Sequence, residues 1–269
     1  MRSRDLLQQY RHLCGQTLTV VDVETTGLCA PGQRVIEISL LKASLDQGIL
    51  DHRAWLLNPG IPIPPAIVRL TGISAEMVAQ GSDPALLWPE IQADLESGTL
   101  TAHNLAFDYG FLQMEYGRLG IPFSRPKTEQ LCTVQLARLL LPDLPSRSLP
   151  ALVEHFQFQL EGPLVAPGRR SHRAAADTLA CWLLAERLLE QLCSQPEEQI
   201  LARFGRQWIP VNQAAQILGC SARQARAQME NAGLMARTSR SGAYLYRRDE
   251  VEDLADALAE SGLSVEVKG

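Results

Sequence analysis

The chain has 269 residues and an apolar share of 46%, enough to bury a sizeable core in one large domain or two smaller ones. No apolar run approaches the ~20 residues that span a bilayer, and the start MRSRDLLQQYRHLCGQ lacks the apolar core of a signal peptide, so neither a membrane partner nor secretion is expected. A net charge of -5 argues against a broad basic footprint for nucleic acid, although a site that grips its substrate through cations can itself be acidic.

In chain order, residues 17–23 (TLTVVDV) are rich in β-branched side chains and predict a buried strand. Residues 34–43 (RVIEISLLKA) and 52–57 (HRAWLL) predict two more, at a spacing that suggests an antiparallel meander. A helix is expected over 85–96, and TLTAHN, 99–104, reads as a strand running into a loop. Phe107, Phe111, Met114 and Leu119 recur at helical spacing. Residues 133–141 and 148–156 read as helices, 158–172 as a Gly/Pro loop, and 173–193 as a long helix. Strands first, then helices mixed with strands, predict an α/β fold with a mixed sheet flanked by helices. The pattern changes near Ser194-Gln195-Pro196, which divides a domain over 1–195 from a small module over 207–262, with a linker over 196–206. The six cysteines (14, 29, 132, 181, 193, 220) form no CxxC pair, which argues against a disulfide framework or zinc cage and for a cytoplasmic protein.

Four acids and one histidine stand out together. Asp22 and Glu24, in VVDVETTG, lie two apart and share one face of a strand whose other face is Val21 and Val23. Side by side in a desolvated setting, two carboxylates repel, and a divalent cation removes that penalty. Asp108 lies in AHNLAFDYGFL, where a strand passes into a helix, and Asp177 follows His172 by five in SHRAAADT. Alone, Asp108 is as consistent with a helix cap, Asp177 with a solvated helix residue, and His172 with an exposed loop. The ordered set carries the argument.

In these words the sequence resembles the DEDDh 3′→5′ exonuclease superfamily, of which the proofreading epsilon subunit of bacterial DNA polymerase III is a member. Asp22 and Glu24 match its first motif, Asp108 its second, and His172 with Asp177 its third, over about residues 15–192. The resemblance implies a ribonuclease H-like fold and a site for two divalent ions, Mg²⁺ or Mn²⁺. Two cations about 3.5–4 Å apart can serve both oxygens of an in-line displacement, and hard cations prefer carboxylate oxygens. It further implies that Asp22 touches both ions, that Glu24 and Asp177 hold one, that Asp108 helps hold the other, and that His172 takes the proton of the attacking water. Histidine suits that task because its ordinary pKa lies near neutrality. Thr25, Thr26, Gly27 and Leu28 are expected to face the terminal nucleotide, and Asn104 and Phe107 its sugar and base. For Leu28 and Phe107, core packing is the competing reading. His103 reads as structural, and Arg169, Arg170 and Arg173 as either phosphate contacts or a solvated loop.

The module 207–262 predicts a short helix with Val211, Ala214, Ala215 and Leu218 on one face, a turn at Gly219-Cys220, and a second helix capped by Ser221. A hairpin is expected from Met235–Thr238 and Ala243–Arg247, then a last helix with Asp249 and Glu252 as a capping pair. The pattern AAxxLGxS resembles the winged helix-turn-helix of excisionase and MerR-type DNA-binding proteins. That implies a small winged helix domain with Arg223, Arg226, Arg237 and Arg240 as DNA contacts, Arg247 and Arg248 lying beside the wing. A protein-interaction module is the competing reading.

Together these readings point to an exonuclease on single-stranded DNA 3′ ends, in repair, processing or proofreading. A DNA-binding regulator with an inactive nuclease-like domain, and an exoribonuclease of the same superfamily, stay open as alternatives. Epsilon-like proteins dock a polymerase through a C-terminal tail; here the module takes that place, so a polymerase partner has no support in the sequence.

Overall fold

A computed structural model of the chain describes residues 1–28, 32–165, 172–239 and 242–261. It divides into two compact units, one formed by His12–Leu136 and Pro145–Gln191, the other by Met1–Arg11, Ala137–Leu144 and Leu192–Gly269. After helix α1 (Ser3–Leu13) come strands β1 (Leu18–Thr25), β2 (Val35–Ser44) and β3 (Gly48–Leu56). Helices α2 (Pro65–Thr71), α3 (Ala75–Ala79) and α4 (Pro84–Glu96) follow, then β4 (Thr99–Ala102), α5 (Leu105–Arg118) and β5 (Gln130–Cys132). Helices α6 (Thr133–Leu140), α7 (Leu149–Phe156) and α8 (Ala174–Ser194) close this series.

The five strands form one sheet in the order β3-β2-β1-β4-β5. The meander β1–β2–β3 is antiparallel, whereas β1, β4 and β5 run parallel. This is the mixed-sheet, ribonuclease H-like α/β architecture expected from the sequence. On one face, Val21 and Val23 of β1 and Ile38 and Leu40 of β2 pack with Trp88 and Ile91 of α4 and Phe111 and Tyr116 of α5. Each such side chain contributes roughly 1.5–3 kcal/mol by leaving water. The Tyr116 hydroxyl is satisfied inside by the Trp88 carbonyl at 2.7 Å. On the other face, Ser39 of β2 meets Thr178 of α8 at 2.9 Å and His52 of β3 at 3.1 Å, a small buried polar network. Five elements differ from expectation, among them β5, which lies where no strand was anticipated. Strand β3 begins at Gly48, four residues early, and α1 and α2–α3 form where no helix was anticipated. The short α3 is capped by Ser74, whose hydroxyl accepts from the Met77 N–H.

The turn from β1 to β2 is tied down from α5. Glu115, only 2% exposed, accepts from Arg34 Nε at 2.9 Å, Arg118 Nη1 at 3.1 Å and the Val35 N–H at 3.2 Å. Removing one partner of a buried ion pair leaves the rest uncompensated. Glu115→Ala is therefore expected to destabilise the protein by about 3 kcal/mol, read as the shift of a urea midpoint at constant slope. A change within experimental error would show that the cluster holds nothing.

In the second unit, Glu197–Gly205, expected as a linker, is helix α9, with Ile200 and Phe204 four apart and buried. Strands β6 (Trp208–Pro210), β7 (Arg237–Thr238) and β8 (Tyr244–Arg247) form a sheet in the order β6-β8-β7. Helices α10 (Val211–Leu218), α11 (Ala222–Asn231) and α12 (Arg248–Glu260) pack a core of Ala214, Ala215, Ala225, Met229 and Val251. Gly219 turns α10 into α11 with φ 68°, and Ser221 caps α11 in a full capping box with Gln224. Helix α12 starts two residues earlier than the Asp249/Glu252 capping pair requires. Its cap is Arg247, without a side-chain bond, because Asp249 is drawn to Arg247 Nη2 at 2.9 Å. Cys132, Cys181 and Cys220 are free thiols. Among the described residues, no helix is long and apolar enough to cross a membrane.

Candidate active site

Strand β1 presents the first two acids. Asp22 and Glu24 are half-buried and alternate with the buried Val21 and Val23. The β1–β2 register shifts just after Glu24, an irregularity that re-aims side chains at the end of a ladder. Asp108, in the first turn of α5 and 2% exposed, accepts the Val23 N–H through Oδ1 at 3.1 Å. The last paired residues of β1 and β4 are Val20 and Thr101, so beyond the ladder a side chain takes over a strand hydrogen bond. Asp177, in the first turn of α8, accepts the His172 N–H through Oδ2 at 2.9 Å. His172 is exposed and adopts φ 62°, a left-handed conformation uncommon for a residue with a side chain. One ligand atom from each of Glu24, His172 and Asp177 lies within 4.8 Å of the others. The fold thus brings together Asp22, Glu24, Asp108, His172 and Asp177 from three distant stretches.

Their electrostatics are those of crowded carboxylates. Burial, then the charges of Asp108, Asp177 and Glu24, raises Asp22 well above the usual carboxylate range. Burial and then Asp177 push Glu24 up to about 8. Burial pushes Asp108 up to about 8 against the opposing hydrogen bond from Val23. Asp177 rises to about 6, again through burial, opposed by the His172 N–H. Each shift says that the ionised form lacks compensation. A set of oxygen donors in that condition fits a hard divalent cation, which would supply the missing positive charge.

The neighbouring residues sort by what they touch. Thr25 and Thr26 are buried: the Thr25 hydroxyl donates to the Gly27 carbonyl at 2.8 Å, and the Thr26 hydroxyl to Gln33 Oε1 at 2.6 Å. A Cβ on Gly27 would meet the Gln33 side chain at 2.8 Å, so the chain runs close there. Leu28 is 83% exposed and does not pack in the core. Asn104 is exposed at the start of α5 with φ 73°. Phe107 is half-buried, packs on the main core and lies 5.0 Å from the Phe111 ring. His103 bonds Thr133 Oγ1 and the Arg147 carbonyl, both at 2.9 Å, which occupies both ring nitrogens. Arg169, Arg170 and Arg240 lie outside the described residues.

One residue beside the site went unread in the sequence. Glu37 on β2 stands opposite Glu24 in the register and is 3% exposed. Its carboxylate binds Arg173 in a fork, Nη2 at 2.6 Å and Nε at 3.0 Å. The signal was available: Glu37 is the one charge inside VIEISLL. In the second unit, Arg226 pairs with Glu230 at 2.8 Å and lies 4.7 Å from the Tyr244 ring centre. Arg237 lies 5.7 Å from the Trp208 ring centre, and Arg223 is exposed on α11. Arg248, directly after β8, is buried and bonded to Gln207 and Glu252, so its side chain braces the unit.

A ribonuclease H-like sheet with acids on its central strand and in the first turns of two flanking helices defines a nuclease-type site. The chain belongs to the exonuclease family (RNase_T), whose family model matches residues 19–184. A polymerase III of PolC type from Oceanobacillus iheyensis is 32% identical over 185 residues, 67% of this chain but 12% of that protein. The 3′-5′ exonuclease DinG of Bacillus subtilis is 32% identical over 182 residues, 67% of this chain and 18% of that protein. The chain thus spans under a fifth of either relative. Among solved structures, an exonuclease X in complex with 5′ overhanging duplex DNA is 26% identical, with a TM-score of 0.50 over 70% of this chain and 99% of that one.

Proposed function

We propose that this chain is a 3′→5′ exonuclease that hydrolyses phosphodiester bonds at DNA 3′ ends, single-stranded ends above all, and releases nucleoside 5′-monophosphates with two Mg²⁺ or Mn²⁺ ions. The observation that carries the reading is the convergence of four acids and His172. DinG, named a 3′-5′ exonuclease, supports the direction, and exonuclease X with its DNA supports the substrate. Asp22, Glu24, Asp108 and Asp177 would hold the cations. When bound, such ions make a water nucleophilic at neutral pH and stabilise charge on the attacking and leaving oxygens. His172, exposed beside Glu24 and Asp177, receives the water's proton. Thr25, Thr26 and Gly27 face the terminal nucleotide, Leu28 packs on its base, and Asn104 and Phe107 contact sugar and base.

His172→Ala tests this reading. Because the side chain is exposed, folding should survive, while turnover on a 5′-labelled oligonucleotide falls about 10²- to 10⁴-fold. Digestion at the parent rate, read as product ladders on a denaturing gel, would end the assignment.

For residues 207–262 we propose a winged helix-turn-helix that docks duplex DNA, with α11 in the groove and the β7–β8 hairpin as its wing. The left-handed Gly219 turn and the capped α11 support it. Arg223 and Arg237 are its leading contacts; Arg226 must first leave Glu230. Residues 1–195 form the catalytic domain in this reading, acting in DNA repair or processing.

A further inference from the structure

We propose that Glu37 and Arg173 are positioning residues, whose forked pair holds the turn that presents His172 to the carboxylate cluster. Glu37 accepts from Arg173 Nε at 3.0 Å and Nη2 at 2.6 Å, and from the Ala174 N–H at 2.9 Å. Those three donors belong to the two residues that follow His172 and open α8. His172 itself is held in a left-handed conformation, which persists only where the surroundings impose it. Asp177 grips the turn on one side through the His172 N–H, and Glu37 grips it on the other. The anchor is stiff, because Glu37 sits inside β2 with its side chain 3% exposed.

The pair also sets local charge. Glu37 faces Glu24 across the β1–β2 register, and without Arg173 it would stand as a further uncompensated carboxylate beside Asp22, Glu24 and Asp177. The geometry is one that lysine cannot copy, since a fork needs two donors in one plane. A direct phosphate contact by Arg173, the reading its position beside Arg169 and Arg170 suggested, competes poorly. Two of its donors already face Glu37.

The proposal rests on the nuclease reading above, and the experiment separates the two. Steady-state kinetics on a single-stranded oligonucleotide with Mg²⁺ are measured for Glu37→Gln, Arg173→Ala, Arg173→Lys, the double variant Glu37→Gln/Arg173→Ala, His172→Ala, and Lys42→Ala. The last removes an ion pair to Asp94 elsewhere on β2 and serves as the structural control. Glu37→Gln and Arg173→Ala are expected each to lower kcat on the order of 10- to 100-fold, with KM changed less than about threefold. The double variant should be no slower than the slower single one, because both break one device. Arg173→Lys should recover only part of the loss, and Lys42→Ala none should appear. A raised KM at unchanged kcat for Arg173→Ala, with Glu37→Gln silent, identifies a phosphate contact and overturns the proposal. Additive losses overturn it as well. If Glu37→Gln does not fold, the kcat-against-KM split of Arg173→Lys, which keeps the charge, decides by the same criterion. Full activity of His172→Ala would overturn the nuclease reading instead.

Discussion

Asp22→Asn lowers turnover by about 10³-fold or more while raising the melting temperature of the cation-free protein at alkaline pH. The first half follows from the position of Asp22 at the centre of the cluster, where loss of one member of a unit that acts together removes most of its effect. The second half follows from the carboxyl group's surroundings. Burial and four neighbouring carboxylates, Asp108, Asp177, Glu24 and Glu37, hold Asp22 well above its ordinary pKa. At high pH its ionised form strains the fold, and the neutral, equally sized Asn does not. Activity near the parent level, or a lower melting temperature in EDTA, would contradict the view of Asp22 as an uncompensated ligand.

Removing divalent cations has the other large effect. EDTA should abolish cleavage altogether, and cation binding should depend on pH in a defined sense. Glu24 and Asp108 titrate at about 8 and Asp177 at about 6 in the folded chain, against about 4 in an unfolded one. Between those values the folded state holds the extra protons, so stability is greatest below about pH 4 on this account and falls as pH rises towards about 8. A cation binds the ionised form and opposes that loss. The increase in melting temperature on adding Mg²⁺ should therefore be small near about pH 5 and large near about pH 8. Calorimetry with and without Mg²⁺ at both values measures it, and an increase independent of pH would show that these carboxylates are not the ligands.

The pH argument also bears on how the site is built. Several ionised side chains of the first unit are paired, as Glu115 is with Arg34 and Asp94 with Lys42. A fold that commits the fork of Arg173 to Glu37, and gives Asp22 and Glu24 no salt bridge among the described residues, leaves the central acids short of positive charge that a cation would supply.

Much of the first unit was legible from residue spacing alone. Alternation of Val21 and Val23 with Asp22 and Glu24 fixes both the strand and the face of the acids, because a strand repeats every two residues. The helical recurrence of Phe107, Phe111 and Met114 and the apolar length of 174–194 gave two helices for the same kind of reason, and the order of the three acidic words gave the family. What spacing could not reveal was the partner of each group. That Asp108 completes the strand hydrogen bond of Val23, that Asp177 fixes a left-handed His172, and that Glu37 clamps Arg173 are facts of proximity between residues 5 to 136 positions apart. The same limit explains the Arg248 brace. Local sequence sets the period of an element and so which side chains share a face; only packing decides which faces meet, and with them which charges are neutralised and which are left for a cation.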